Sequence, residues 1–349
     1  MNQVRTDDLQ NTPLVASGSF SDIDEYRQTL IDWDLEVEQL QAGGTQVNKS
    51  AYVNSDLSYL KFSHQAVSAQ LALAKRPGIS FLVTEKRRDQ YLLYGNPTST
   101  DTLCCVPEGS EIDLVSHQDF HAYTFSASYD TLALTADSMK LDLDALQLWR
   151  GCRTFAMPAP AAERLRNCMR HLATQLSRFQ VDPVLGNDGV THFFHYRLLP
   201  EVIRILCADG QGGSNAQIAV AQSLIGQMMT RIDQHLDAPP SIQELADGVG
   251  ITTRYAQQLF QRYCQMTPKQ YIQARRLQAV RRNLRASSLG RGVVSEQARH
   301  LGFWHMGQFS RDYKRFFGEL PKHSIGKAKS QSSPRAEVEI AESSVTEFG

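Results

Sequence analysis

Two stretches of this sequence, offset by 52 to 53 residues, ask the chain for the same local structure. SIQELADGVGITTRYAQQLFQRY (residues 241–263) starts behind Pro239 and Pro240, which stop a helix from running in. Ser241 and Glu244 have capping-box spacing, so each can satisfy an amide left unpaired at a helix start. Ile242, Leu245, Ala246 and Val249 make one apolar stripe, and Gly250 ends the helix. Thr252 or Thr253 then caps a second helix with Ala256, Leu259 and Phe260 inward. Small Ala246 lets the two helices cross closely. This is a helix-turn-helix pattern, and it leaves Arg254, Gln257 and Gln258 facing outward.

LGFWHMGQFSRDYKRFFGELP (residues 301–321) repeats it. Ala298, Gly302 and Phe303 match Ala246, Gly250 and Ile251 at a shift of 52, and Phe309 and Tyr313 match Ala256 and Phe260 at 53, with one residue added in the turn. Phe303, Phe309, Tyr313 and Phe316 or Phe317 keep the apolar rhythm, which leaves Met306, Ser310 and Arg311 as the outward set.

Between the units lies KQYIQARRLQAVRRNLRAS (residues 269–287). Ala274, Leu277, Val280 and Leu284 share one helical face, and Arg275, Arg276, Arg281, Arg282 and Arg285 occupy much of the rest. A helix of about 18 residues is roughly 27 Å long. With its flanking turns it holds two helices near the roughly 34 Å that separates successive major-groove faces.

The residue types fit duplex DNA. Arg bonds guanine O6 and N7 in bidentate fashion, Gln does the same with adenine N6 and N7, and a Met side chain meets a thymine methyl. Arg254, Gln257, Gln258, Met306, Ser310 and Arg311 are therefore expected at base edges. Thr252, Thr253, Arg275, Arg282, Trp304 and His305 are expected at phosphates, which position a protein without reading sequence. Local packing is an equal alternative for Trp304.

Charge supports this division. The chain of 349 residues has a net charge of −1, but residues 217–330 hold 17 Lys and Arg against 7 Asp and Glu, a surplus of 10. The remainder holds 19 against 30, a deficit of 11. A basic block attracts polyanions, with salt-dependent binding. Six sparse cysteines without a CxxC suggest neither a disulfide framework nor a zinc ribbon. No apolar run approaches the roughly 18 residues of a membrane span, and no leader pattern opens the chain, so a cytoplasmic protein is expected.

Upstream, the first 20 residues are polar and patternless and are expected to be disordered. SDIDEYRQTL (residues 21–30) opens with Ser21 and Asp24 at capping-box-like spacing before a helical stretch. From about residue 45 to 136 the period changes to two: Ile79, Phe81 and Val83 alternate, as do Ile112 with Leu114 and Tyr123 with Phe125 and Ala127. Helical patterns return over residues 159–179 and 191–207. The expected class is α+β: a small β-barrel or sandwich sensor with helices over residues 21–208, then an all-α domain over 218–326 with two helix-turn-helix units and a linking helix. DGQGGSNA places a linker over 209–217, and residues 327–349 read as a disordered acidic tail.

Over roughly residues 220–325 the sequence resembles the AraC/XylS family of bacterial transcription regulators. The doubled unit, the linking helix and the closing GFxxxxxFSRxYKRFFGxxP carry the resemblance in order. DIDEYRQTL, LQAGG (40–44) and VPEGSEI (106–112) look like that family's variable sensor domain. GFWHMGQFSRDY and the insertion SSLGRG (287–292) look most like regulators of ethanolamine utilisation. The resemblance implies operator DNA, RNA polymerase and a small-molecule effector as partners, no required cofactor, and a possible homodimer through the N-terminal domain. Its closer form implies ethanolamine with adenosylcobalamin as effectors. Two positions depart from the pattern. Gln265 replaces a usual glycine after the first reading helix and predicts a frayed end, and Gln297 stands where an apolar residue is common.

Other readings are weaker. His117 and His121 near Cys104 and Cys105 suggest a metal site on one strand face, but no carboxylate pattern completes it. Cys104 and Cys105 as an oxidant sensor, and His192 and His195 as ligands, compete with plain packing. No Ser/His/Asp arrangement, phosphate loop or HExxH is present, so no enzyme is expected. A metal-dependent barrel enzyme with a DNA-binding appendage, or a regulator answering to a partner protein, are the alternatives.

Overall fold

The computed structural model describes residues 14–21, 23–42, 46–54, 57–85, 91–143, 148–179, 189–208, 224–288 and 292–326. The expected linker (209–217), the acidic tail (327–349), residues 1–13, Gly43 and Gly44 of LQAGG, Leu289–Arg291 of the insertion, and the Asp24 side chain of the capping-box reading lie outside them.

The strands are β1 (Leu14–Phe20), β2 (Trp33–Gln39), β3 (Val47–Val53), β4 (Leu57–His64), β5 (Ser68–Ala74), β6 (Ile79–Thr84), β7 (Tyr91–Leu93), β8 (Asn96–Thr98), β9 (Thr102–Pro107), β10 (Glu111–Ser116), β11 (Phe120–Ala127) and β12 (Arg153–Ala156). They form two antiparallel sheets, ordered β1-β3-β4-β11-β6-β9-β12 and β2-β5-β10-β7-β8. Among the described residues the sheets stay open at their edges and do not close into a barrel. Trp33, Leu35, Phe62, Leu82, Leu93, Ile112 and Leu114 come from both sheets and fill one core between them.

The helices explain why the larger sheet reads as nearly continuous apolar runs. After α1 (Ile23–Gln28) come α2 (Tyr129–Ser138), α3 (Ala159–Phe179) and α4 (Leu199–Ala208), the last preceded by a π-helical turn at Phe194–Leu198. Leu132, Leu165, Met169, Leu172 and Val202 of these helices cover Tyr59, Phe81, Tyr123 and Phe125 on the sheet's outer face. With both faces covered, apolar side chains are required on both sides of each strand. Cys105 faces this helical layer and Cys104 the core between the sheets.

Two expectations need correction. Residues 14–20, read as disordered, form β1, whose register on β3 runs from Leu14 with Val53 to Phe20 with Val47. The backbone ladder holds it while its side chains stay half-exposed, so no apolar alternation marks it. The main run of strands also ends at Ala127, because Ser128 accepts a hydrogen bond from the Thr131 amide and starts α2, and one short strand, β12, follows later.

The C-terminal half is helical: α5 (Leu224–Gln234), α6 (Ile242–Gly248), α7 (Thr253–Cys264), α8 (Pro268–Ala286), α9 (Val293–His300) and α10 (Met306–Phe317). Its core includes Met228, Leu245, Phe260, Tyr271, Val280, Phe309 and Tyr313, and it is continuous with Leu92 and Val115 of the small sheet and with Leu40 and Val67 at the ends of its strands. The two halves therefore share one apolar contact. At its margin Gly226 of α5 backs onto Gly95 in the β7–β8 turn, where a Cβ on Gly226 would stand 2.8 Å from the Gly95 Cα. Gly226→Ala is expected to destabilise this junction by roughly 1–3 kcal/mol. Its thermal unfolding should separate into two steps, whereas a single step at the parental temperature would show that the glycine contact does not matter.

Candidate nucleic-acid interface

The outer helices α7 and α10 are fixed by their ends and by their buried faces, α7 with a side-chain cap and α10 without one. In the first unit the capping box is complete: Ser241 accepts from the Glu244 amide, and Glu244 accepts from the Ser241 amide at 2.8 Å. Its backbone bonds hold the Glu244 carboxyl below the usual range. Of the two threonines, Thr252 is the cap, its hydroxyl accepting from the Tyr255 amide at 3.2 Å, while Thr253 is half-buried as the first helical residue. Gly250 sits at φ +71°, a left-handed conformation that favours glycine. With Ala256, Leu259 and Phe260 buried, Arg254, Gln257 and Gln258 are exposed on the opposite side.

In the second unit Phe309, Tyr313 and Phe316 are buried, and Gly318 at φ +76° ends α10. The Tyr313 hydroxyl lies 2.6 Å from that of Ser324, which ties the following turn to the helix. Arg311 is exposed and donates to Gln308 Oε1 at 2.9 Å. Trp304 is 72% exposed and His305 stands beside it in solvent, so Trp304 is not packed locally. Met306 and Ser310 are only half-exposed, and Met306 packs against the C-terminal core, which corrects its fully outward reading. The exposed face also includes Tyr255 and Gln308, which the sequence reading passed over. Their positions on the outward arc of each helix were the available signal.

The linking helix departs most from expectation. Its arginines face other parts of the same chain. Arg276 donates to the Leu236 and Asp237 carbonyls at 2.8 and 3.0 Å. Arg281 lies 4.6 Å from the Phe317 ring centre and 3.8 Å from Glu319. Arg275, with only 14% of its side chain exposed, donates to Asp233 at 2.7 Å and pairs with Glu38, and Arg282 also pairs with Glu38. In this structure Arg275 and Arg282 are thus bound to carboxylates rather than offered to phosphate. The cause is the acidic β2 strand, which reaches the helix. Burial pulls the Arg275 pKa down, but Tyr271, Glu38 and Asp233 together raise it above its ordinary value, so the guanidinium stays charged.

The two family departures acquire partners. Gln265 ends α7 in the left-handed region at φ +55°, and its side chain accepts from the Gln118 amide of the N-terminal domain at 3.2 Å. The helix continues to Cys264 without fraying. Gln297 accepts from Asn283 at 2.9 Å, so the α9–α8 packing gains a polar contact where an apolar one was expected.

In the N-terminal domain a cavity of about 50 Å³ lies between the sheets, lined by Tyr26, Trp33, Leu35, Phe62, Gln70 and Leu114 among others. Beside it His64 is buried in a polar cluster. Its Nδ1 faces the Ala66 carbonyl at 2.8 Å and must donate, so Nε2 accepts from Gln70 at 3.1 Å and Ser116 at 3.0 Å. A smaller neighbouring cavity of about 30 Å³ is lined by Asp32 and Lys49, and burial lowers the Lys49 pKa to about 8. The other histidines do not converge. His117 lies just past the end of β10 and His121 on β11, so the shared strand face is absent, and His121 Nδ1 faces the Asp119 carbonyl. His192 stacks beside Tyr196 with ring centres 4.5 Å apart, and His195 falls in the π-helical turn. Burial raises both the Cys104 and Cys105 thiols, which stay protonated and unreactive. Among the described residues no three His, Cys, Asp or Glu side chains form a metal-holding group, and no helix is long and apolar enough to cross a membrane.

A helix-turn-helix domain model matches residues 245–324. The XylDLEGF operon transcriptional activator of Pseudomonas putida is 32% identical over 100 residues, which is 29% of this chain and 31% of that protein. A probable thc operon regulatory protein of Rhodococcus erythropolis is 33% identical over 94 residues, 27% of this chain and 28% of its own. The chain thus spans about a third of the length of these curated relatives. The AraC-like transcriptional activator CuxR aligns over 75% of this chain and 94% of its own at 13% identity, but with a TM-score of 0.40 the overlay carries no weight.

The His64 cluster makes a pH prediction. Burial lowers the His64 pKa from 6.5 to about 4, against a smaller upward pull from the Ala66 carbonyl. The folded value is the lower one, so the unfolded chain takes up the proton first as pH falls. Stability present above about pH 6.5 should be lost towards pH 4, on the order of 3 kcal/mol. Thermal melts across that range should show the loss, and His64→Gln should flatten it.

Proposed function

We propose that this chain, whose residues 245–324 form an AraC/XylS-type helix-turn-helix domain, is a sequence-specific transcription regulator that activates genes in response to a small-molecule effector. The carrying observation is that α7 and α10, built on matching scaffolds and joined by α8, each leave a polar face exposed. Two such helices suit adjacent major-groove segments. Arg254, Gln257, Gln258 and Arg311 are the base readers in this proposal, with Ser310 and the edge of Met306 contributing. Thr252, Thr253, Trp304 and His305 are the phosphate contacts in this proposal.

The N-terminal sandwich is the sensor in this reading. Its apolar cavity of about 50 Å³ accommodates only a few heavy atoms, so a compact effector is favoured unless the sheets move apart. Ethanolamine is the first candidate, and adenosylcobalamin would need a different and larger surface. Operator DNA and RNA polymerase are the macromolecular partners, and a second copy meets the first through the N-terminal domain. An effector can act only through unequal affinity for two arrangements of the protein. No observation favours the metal-dependent enzyme.

Duplexes selected from a random pool by the intact chain would supply an operator. Against it, Arg311→Ala should lose roughly 1–3 kcal/mol of binding and relax one base position. An equal loss on scrambled duplex would mean that Arg311 reads no base. Ethanolamine that raises the melting temperature of the full chain supports it as effector, and an unchanged melt removes it.

A further inference from the structure

We propose that Glu38 is a latch: it clamps the linking helix to the edge of the N-terminal sandwich and withholds Arg275 and Arg282 from DNA until it opens. The inference rests on the DNA-binding reading above and concerns how that site is controlled.

Strand β2 is the outermost strand of the five-stranded sheet, so among the described residues its outer backbone edge has no strand neighbour. An open edge is ordinarily covered or charged. Here α8 covers it, with Gln278 donating to the Gln39 carbonyl at 2.6 Å. One residue earlier, the Glu38 side chain is only 13% exposed and lies between two guanidiniums, Arg275 on one oxygen and Arg282 on the other. Those arginines are seven residues apart, two turns along one side of the helix. Arg275 continues the chain of charges to Asp233, so the order is Arg282, Glu38, Arg275, Asp233. Positive and negative groups alternate through the junction.

A carboxylate this buried is costly to leave unpaired, which keeps the latch shut without a competitor. A phosphate offers a guanidinium the same paired oxygens, so DNA and Glu38 compete for the same two side chains. The latch has a weak side. Arg282 is 55% exposed and borders an open groove of about 530 Å³ lined by Glu36, Glu38, Arg281 and Arg285 among others, so water and ions reach it first. The strand also has two faces in use. Trp33 and Leu35 line the cavity between the sheets, while Glu38 projects from the opposite face.

The test uses the full chain and a fluorescent mixed-sequence duplex of about four helical turns, titrated at several salt concentrations. Non-specific binding is sufficient, because each phosphate neutralised adds about 0.9 to the slope of log affinity against log salt. Glu38→Gln should bind roughly fivefold tighter or more, within the usual range of coupling between sites. Its slope should steepen by about one to two as the freed arginines reach phosphates. Arg282→Gln, a surface change that leaves the core intact, should bind at least as tightly as the parent. Added to Glu38→Gln it should remove about half of the extra slope. Identical affinity and slope for Glu38→Gln and the parent overturns the latch. So does weaker binding with a shallower slope for Arg282→Gln alone, because Arg282 would then already rest on phosphate. If neither folded protein binds duplex at low salt, the DNA-binding reading itself fails, a result distinct from either of these.

Discussion

One helix, α8, packed along most of its length, sets the geometry of the C-terminal half. Tyr271, Ala274, Leu277, Val280 and Leu284 of α8 are all buried, and burying each large member contributes about 1.5–3 kcal/mol. Tyr271 meets Phe260 of the first reading helix with ring centres 5.4 Å apart. At the other end Arg281 lies over Phe317 at the close of the second. The spacing of the two reading faces is therefore a property of α8 and of what holds it, not of either unit alone.

That dependence gives the charge division a structural meaning. A basic domain beside an acidic one reads as a DNA-binding half and something unrelated. In the folded chain the two charges meet, with the acidic edge of β2 against the arginine side of α8. Arg276 shows the same economy within one domain, satisfying carbonyls left open beyond the end of α5. Basic residues on this helix are structural ties first. While those ties hold, the polar faces left open are those of α7 and α10.

The recurring unit was legible because its signals are local: caps at fixed offsets, glycines at left-handed turns, and apolar residues every three or four positions. Ser241, Thr252, Gly250 and the stripe of Ala256, Leu259 and Phe260 all act as their spacing indicates. What escaped was long-range. An arginine on an amphipathic helix looks the same whether solvent or Glu38, 237 residues away, lies opposite Arg275. Arg166 makes the same point: within α3 it looks solvated, yet it is buried and donates to the Thr84 and Thr100 carbonyls at 3.0 and 2.6 Å. Strand β2 was legible and missed, since Trp33, Leu35 and Val37 alternate with Asp34, Glu36 and Glu38. Strand β1 was not, because its sequence shows no apolar alternation and its place comes from pairing with β3, further along the chain, and from single contacts such as Phe20 with Tyr26.

Gln265 shows how the junction and the reading unit are joined in one residue. A non-glycine residue in the left-handed region costs on the order of 1 kcal/mol, and glycine would remove that cost. Glycine would also remove the side chain that accepts from the Gln118 amide across the domain boundary. His117, beside Gln118, is hydrogen-bonded to the backbone of Tyr263 on the same helix end, and burial lowers its pKa. The strain at the end of α7 is thus offset by contacts that exist only while the two domains are together. Helix α7, like the linking helix, has its local geometry completed by the N-terminal domain.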